Sequence, residues 1–172
     1  MKRFLIYTFF IITCFVLQGT LFKFLDFGNI SPNLLLVLTV SLGLMRGRKT
    51  GLLVGFFSGL LMDIFLSSYI GLFSLLLMYC GYVAGCFNKI FFAEDIKLPI
   101  FLISLSDLFY GFFVYLIMFL LRGKMNLSYY FLHICIPECI YTVLITVVFY
   151  PLILIINQAL ENGERKRAKK FV

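Results

Sequence analysis

The stretch GLLVGFFSGLLMDIFLS, Gly51 to Ser67, is apolar enough to lie in a bilayer, yet one face lacks side chains. Gly51, Gly55 and Gly59 recur every four residues, and the next step of four reaches Asp63. Positions four apart drift by only about 40° around a helix, so Gly55, Gly59 and Asp63 share a face. A glycine face admits a second helix backbone at close range. A carboxylate on that face must point into protein rather than lipid. The segment therefore reads as the central packing helix of a polytopic membrane protein.

Composition supports this reading. Hydrophobic residues make up 62% and charged residues 13% of the 172 residues, with a mean hydropathy of +1.04. Soluble domains hold about 45–50% apolar and about 25% charged residues, so the bilayer must act as solvent for this chain. With 22 Phe and no Trp, an interfacial aromatic belt falls to the ten Tyr. The net charge of +7 sits in short loops and at the ends, a topology signal rather than a nucleic-acid surface. Cys14, Cys80, Cys86, Cys135 and Cys139 all lie in apolar stretches without a CxxC, as buried small hydrophobes do. No metal site or cofactor is expected.

Six apolar segments approach the ~17–25 residues needed to cross ~30 Å. They are about 4–22, 29–45, 51–67, 70–88, 98–121 and 130–156. Ser31 and Pro32 open the second as N-cap and first-turn proline. With the N-terminus in the cytoplasm, twelve basic residues fall inside: Lys2, Arg3, Arg46, Arg48, Lys49, Lys89, Lys97, Arg165, Lys166, Arg167, Lys169 and Lys170. Only Lys23, Arg122 and Lys124 fall outside. This bias puts both termini in the cytoplasm. The expectation is an all-α protein with six transmembrane helices, forming a single integral membrane domain over 1–172. The basic tail 161–172 is attracted to anionic lipid.

Three acids fall inside spans without a basic partner there: Asp63, Asp107 and Glu138. A charge deep in a bilayer costs at least about 2.5–3.5 kcal/mol, so each must be protonated, hydrogen-bonded or in a wet cavity. Topology puts Asp63 and Glu138 in the outer half, where they are expected to face one cavity, and Asp107 near the midplane. Pro137 removes a helix hydrogen bond beside Glu138 and is expected to kink the sixth span; Pro151 would free the carbonyl of Val147. Gly81 and Gly85 form a second GxxxG, in the fourth span. The lone His133 has no nucleophile beside it, and no HExxH, GxSxG, P-loop or GxGxxG occurs, so no enzyme is expected.

The order of these signals carries a resemblance. Pro32-Asn33-Leu34-Leu35-Leu36 opens a short span and Arg46-Gly47-Arg48-Lys49 closes it. G-x3-G-x3-G-L-x2-D follows, ending at Asp63, and then Ser67-Ser68-Tyr69-Ile70-Gly71-Leu72. Over about residues 30–88 this resembles the MreD family, integral membrane subunits of the bacterial rod-shape and cell-elongation machinery. The resemblance implies a non-enzymatic subunit of the plasma membrane that scaffolds peptidoglycan synthesis. Its implied partners are a bitopic MreC-like protein, the polymerase RodA, a penicillin-binding transpeptidase and MreB filaments. Homodimerisation is left open. The motif positions are Pro32, Asn33, Arg46, Gly47, Asp63 and Gly71. The family also looks like the six-helix substrate-binding S-components of vitamin ECF transporters, which supplies the alternative function. Against that alternative, the first helix lacks the Ala-rich docking motif that S-components often carry.

Overall fold

A computed structural model describes residues 2–24, 32–66, 71–90, 97–122 and 135–168. They form six α-helices: α1 (Lys2–Phe24), α2 (Leu34–Arg46), α3 (Arg48–Leu66), α4 (Leu72–Cys86), α5 (Lys97–Arg122) and α6 (Ile136–Ala168). A short 3-10 turn, Phe87–Ile90, follows α4. No strand occurs among the described residues. Leu72–Lys89, Lys97–Ile117 and Ile136–Leu160 are long and apolar enough to cross a membrane, whereas Ile6–Thr20 and Leu34–Arg46 are shorter apolar stretches. α6 runs on past its apolar part into the basic tail as far as Ala168.

The helices alternate in direction, as their side-chain pairings show. Gln18 of α1 reaches Leu35 near the start of α2. Gly51 of α3 lies on Gly81 of α4, and Gly59 lies on Ser74. Cys80 of α4 lies by Ser106 of α5, and Phe73 by Tyr110. Ser104 of α5 lies by Cys139 of α6, and Gly111 by Cys135. We call the end where α2, α4 and α6 begin the upper end.

The centre of the bundle is α2, not the glycine helix. Every residue from Pro32 to Leu44 is buried, and Leu35, Leu36, Leu38, Val40 and Leu44 are wholly inaccessible. α3, by contrast, turns Leu53, Phe56, Phe57, Ile64 and Phe65 outward. The reason lies in the sequence LLLVLTVSLGLM, which is apolar on all sides, and a helix of that kind seeks burial on every face. Its 13 residues rise only about 20 Å, less than a bilayer core. Surrounding helices shield that short length from lipid.

α2 also starts later than expected. Asn33, not Ser31, caps it: the Asn33 side chain accepts the Leu36 N–H at 3.2 Å. Pro32 lies just before the cap, and Ser31 lies outside the described residues. At the lower end one residue, Gly47, joins α2 to α3 with φ +90°. That left-handed conformation is why glycine is required there. Gly71 at φ +104° opens α4 in the same way, and a Cβ there would meet nothing.

The stripe Gly51, Gly55, Gly59 packs on α4 of the same chain. A Cβ on Gly55 would lie 2.7 Å from the carbonyl carbon of Leu77 and 2.9 Å from the Cα of Met78. A Cβ on Gly59 would lie 2.5 Å from the Phe73 carbonyl oxygen. Gly81 and Gly85 answer from α4, against Gly51 and Arg48. Gly43 of α2 joins the contact, its Cβ position 2.7 Å from the Gly81 carbonyl oxygen. Three backbones therefore converge at Gly43, Gly51 and Gly81. Where lipid removes the hydrophobic drive between helices, such contact supplies the dispersion energy that holds them.

Candidate functional site: buried polar pins and a carboxylate pair

Asp63 lies one turn from the upper end of α3 and is 1% exposed. Its two oxygens accept the backbone N–H groups of Phe73 and Ser74, each at 3.0 Å. The Ser74 hydroxyl donates to the same carboxylate. The first N–H groups of a helix have no partner within it, and they carry the positive end of its dipole. The carboxylate of Asp63 therefore caps α4 from the neighbouring helix and locks the α3–α4 hairpin. Topology alone suggested a cavity shared with Glu138; both Asp63 oxygens are taken up by this cap. The ring pair Phe73–Tyr110, 6.1 Å between centroids, connects this cap to the next polar group.

That group comprises Asn33, Asp107, Tyr110, Glu138 and Thr142. Asp107 lies between Ser104 and Gly111, two α5 positions that touch α6, and it faces α6 with them. It is 4% exposed, and its Oδ1 has no hydrogen-bond partner. Thr142 stands beside its carboxylate. The Thr142 hydroxyl donates to the Glu138 carbonyl at 2.8 Å and receives the Asn33 N–H at 3.4 Å. Tyr110 is within reach of the Asn33 side chain. Glu138 lies close enough to Asp107 to feel its charge. The structure thus sets Asp107 and Glu138, which hydropathy had placed at different depths, near each other, whereas Asp63 caps α4.

Pro137 is the second residue of α6 and comes just after the π-helical residue Cys135. The carbonyl of His133, whose bond Pro137 would forgo, lies outside the described residues, and so does the backbone on which the expected kink rests. Pro151 does lie within α6, on an exposed face beside exposed Val147.

A third pin closes the lower end. Arg46 Nε donates to Asn157 Oδ1 at 2.6 Å, and a second guanidinium nitrogen reaches the Asn157 carbonyl at 3.4 Å. Asn88 Nδ2 donates to the Leu44 carbonyl, satisfying an end group of α2 that the helix leaves open. α2 and α6 are thus tied twice, at Asn33–Thr142 and at Arg46–Asn157. Asn157→Ala is expected to cost about 1–3 kcal/mol by leaving a charged donor without its acceptor. A drop in thermal midpoint of the purified chain, absent in the exposed control Gln158→Ala, checks this.

Sequence reasoning missed Asn157, Asn88, Ser74 and Thr142 as partners. For Asn157, Asn88 and Ser74 the usable signal was an amide or hydroxyl near a span end; Thr142, inside its span, carried no such signal. Each motif position after Pro32 has a mechanical role: Asn33 caps, Arg46 clamps, Gly47 and Gly71 supply positive φ, and Asp63 caps α4.

Apolar helices packed through glycine and fastened by buried polar pins define a helical membrane protein. The chain belongs to the MreD family: the family described as rod shape-determining protein MreD matches residues 1–160. Its role therefore lies in determining rod shape, and the family is a shape-determining one rather than a known enzyme family. No curated protein and no solved structure matches the chain significantly.

Proposed function

We propose that this chain is a non-enzymatic, multi-pass subunit of the bacterial plasma membrane that scaffolds the cell-elongation complex. All six helices cross, both termini are cytoplasmic, and residues 1–172 form one integral membrane domain. The observation that carries this reading is the family match over residues 1–160. It is supported by what the polar residues do. The side chains of Asp63 and Arg46 and the backbone N–H of Asn33 are spent on fastening helices to one another, which suits a rigid platform. Partners in this reading are an MreC-like bitopic protein, RodA with a penicillin-binding transpeptidase, and MreB. The apolar outward faces of α1, α3 and α6 are available to lipid or to a partner's single helix.

Depletion in a rod-shaped host, together with purification of the tagged chain from detergent extracts, tests the proposal. Rounded cells and recovery of a bitopic coiled-coil partner are expected. The buried cluster around Asp107 and Glu138 favours a second reading, an S-component that binds a vitamin. Cells that stay rod-shaped but need more vitamin, with an ATPase and a coupling subunit co-purifying, would establish that reading in place of the first.

A further inference from the structure

Among the described residues, the carboxylates of Asp107 and Glu138 lie near each other with no counter-charge beside them. Between its end residues α5 carries no Lys or Arg, α2 carries none before Arg46, and α6 carries none before Arg165. Arg46 is engaged with Asn157 at the opposite end. The start of α2 brings a positive dipole, but only about half a charge. Its N–H groups are also committed elsewhere. Asn33 donates to Thr142, Leu34 to Pro32, Leu35 to Gln18 and Leu36 to the Asn33 side chain. None is left to solvate a carboxylate. An ionised pair in such a place is costly unless something positive joins it. Asp107 Oδ1, buried and unpartnered, marks the gap.

Around that gap stand hard oxygen atoms, those of two carboxylates and of the Tyr110 and Thr142 hydroxyls, while Asn33 Oδ1 is held by the Leu36 N–H. The Thr142 oxygen stands against the Asp107 carboxylate, between the Glu138 carbonyl and the Asn33 N–H. Thiols also flank the site, at Cys80, Cys135 and Cys139, but a neutral thiol does not ligate metals. Oxygen-rich sets with one or two carboxylates suit hard cations such as sodium, magnesium and calcium. We propose that the space between Asn33, Asp107, Tyr110, Glu138 and Thr142 binds one hard metal cation through oxygen atoms. The ion would neutralise the pair and tie α5 and α6 to the start of α2. This site is independent of the scaffold reading, which stands or falls on cell shape and partners.

The test uses the full chain in detergent with choline chloride as the only salt, to which sodium, magnesium or calcium chloride is added separately. One of the three is expected to raise the thermal midpoint saturably, by roughly 5–10 °C at about 100 times its Kd. Equilibrium dialysis with the radioactive ion should give about one ion per chain. In Asp107→Asn/Glu138→Gln the rise should vanish. Tyr110→Phe keeps the ring pair with Phe73, removes one ligand oxygen, and should weaken affinity severalfold. It serves where the double variant does not fold. Identical midpoints in all four salts with no bound ion would overturn the proposal. So would a rise that is unchanged in the double variant, or, where that variant does not fold, in Tyr110→Phe.

Discussion

Replacing Gly55 by leucine is expected to leave no folded protein. At this position α3 and α4 touch backbone to backbone, and even a Cβ would fall 2.7 Å from the Leu77 carbonyl carbon. The obstacle is main chain, so no rotamer change in a neighbour relieves it. Gly55→Ala must push the helices apart, and overpacking of this kind costs about 1–3 kcal/mol. Leucine adds three more carbons, and separation then also opens the contacts at Gly59–Ser74 and Gly51–Gly81. Those contacts were the source of the pair's dispersion energy, so the loss compounds along the groove. Gly19 provides the control, because a Cβ there would meet nothing within 4 Å. Gly19→Leu should give the same monodisperse peak in detergent as the parent chain. Gly55→Leu should aggregate or be degraded, and Gly55→Ala should survive with a lower thermal midpoint. A normal peak and midpoint for Gly55→Leu would mean that α3 and α4 do not pack as described.

How far the sequence disclosed these contacts depended on whether the cause was local. A missing side chain is a local property, so the glycine register was legible in GLLVGFFSG, as was the need to shelter Asp63. The partner of each was not, because it depends on the register between α3 and α4, which no spacing within either helix encodes. Asp63 and Ser74 stand 11 residues apart, across a turn. Asp107 and Glu138 were judged by depth, counted from the expected starts of spans 98–121 and 130–156. Cys139 packs on Ser104, a register between α5 and α6 that sets Glu138 near Asp107 and that counting depth along each span does not encode. The central place of α2 was available in principle. Its charge-free, all-round apolar run is the pattern of a fully buried helix. In a membrane chain, however, the same pattern also describes a span surrounded by lipid, and hydropathy cannot tell lipid from protein. Polar content separates the two here: Asn33, Thr39 and Ser41 are buried on α2, whereas the faces turned outward on α1, α3 and α6 are Phe, Leu, Ile and Val.

The same distinction governs what Asp63 should do when changed. Asp63→Ala removes the acceptor of two backbone N–H groups and one hydroxyl at a buried helix start. Each buried donor left unsatisfied costs about 1–3 kcal/mol, so the loss is expected to be about 3–5 kcal/mol once the Ser74 hydroxyl finds another acceptor. In hydrocarbon, water offers no easy replacement. Asp63→Asn keeps one acceptor oxygen and the shape. Its NH2 group, however, faces the N–H of either Phe73 or Ser74, so one former bond becomes a donor–donor contact. It should lie between the parent and Asp63→Ala. Ser74→Ala removes only the hydroxyl and should cost least, about 1 kcal/mol. Adding Ser74→Ala to Asp63→Ala should cost little more, since the interaction is already gone, and that non-additivity separates a cap from independent packing. Thermal midpoints of the four proteins measure the cycle. In cells, rod shape should fail in the same order, with Asp63→Ala worst, because the hairpin carries the family motif from Arg46 to Gly71. If Asp63→Asn cells round up while the purified variant keeps its parent's midpoint, the carboxylate acts on a partner rather than on α4.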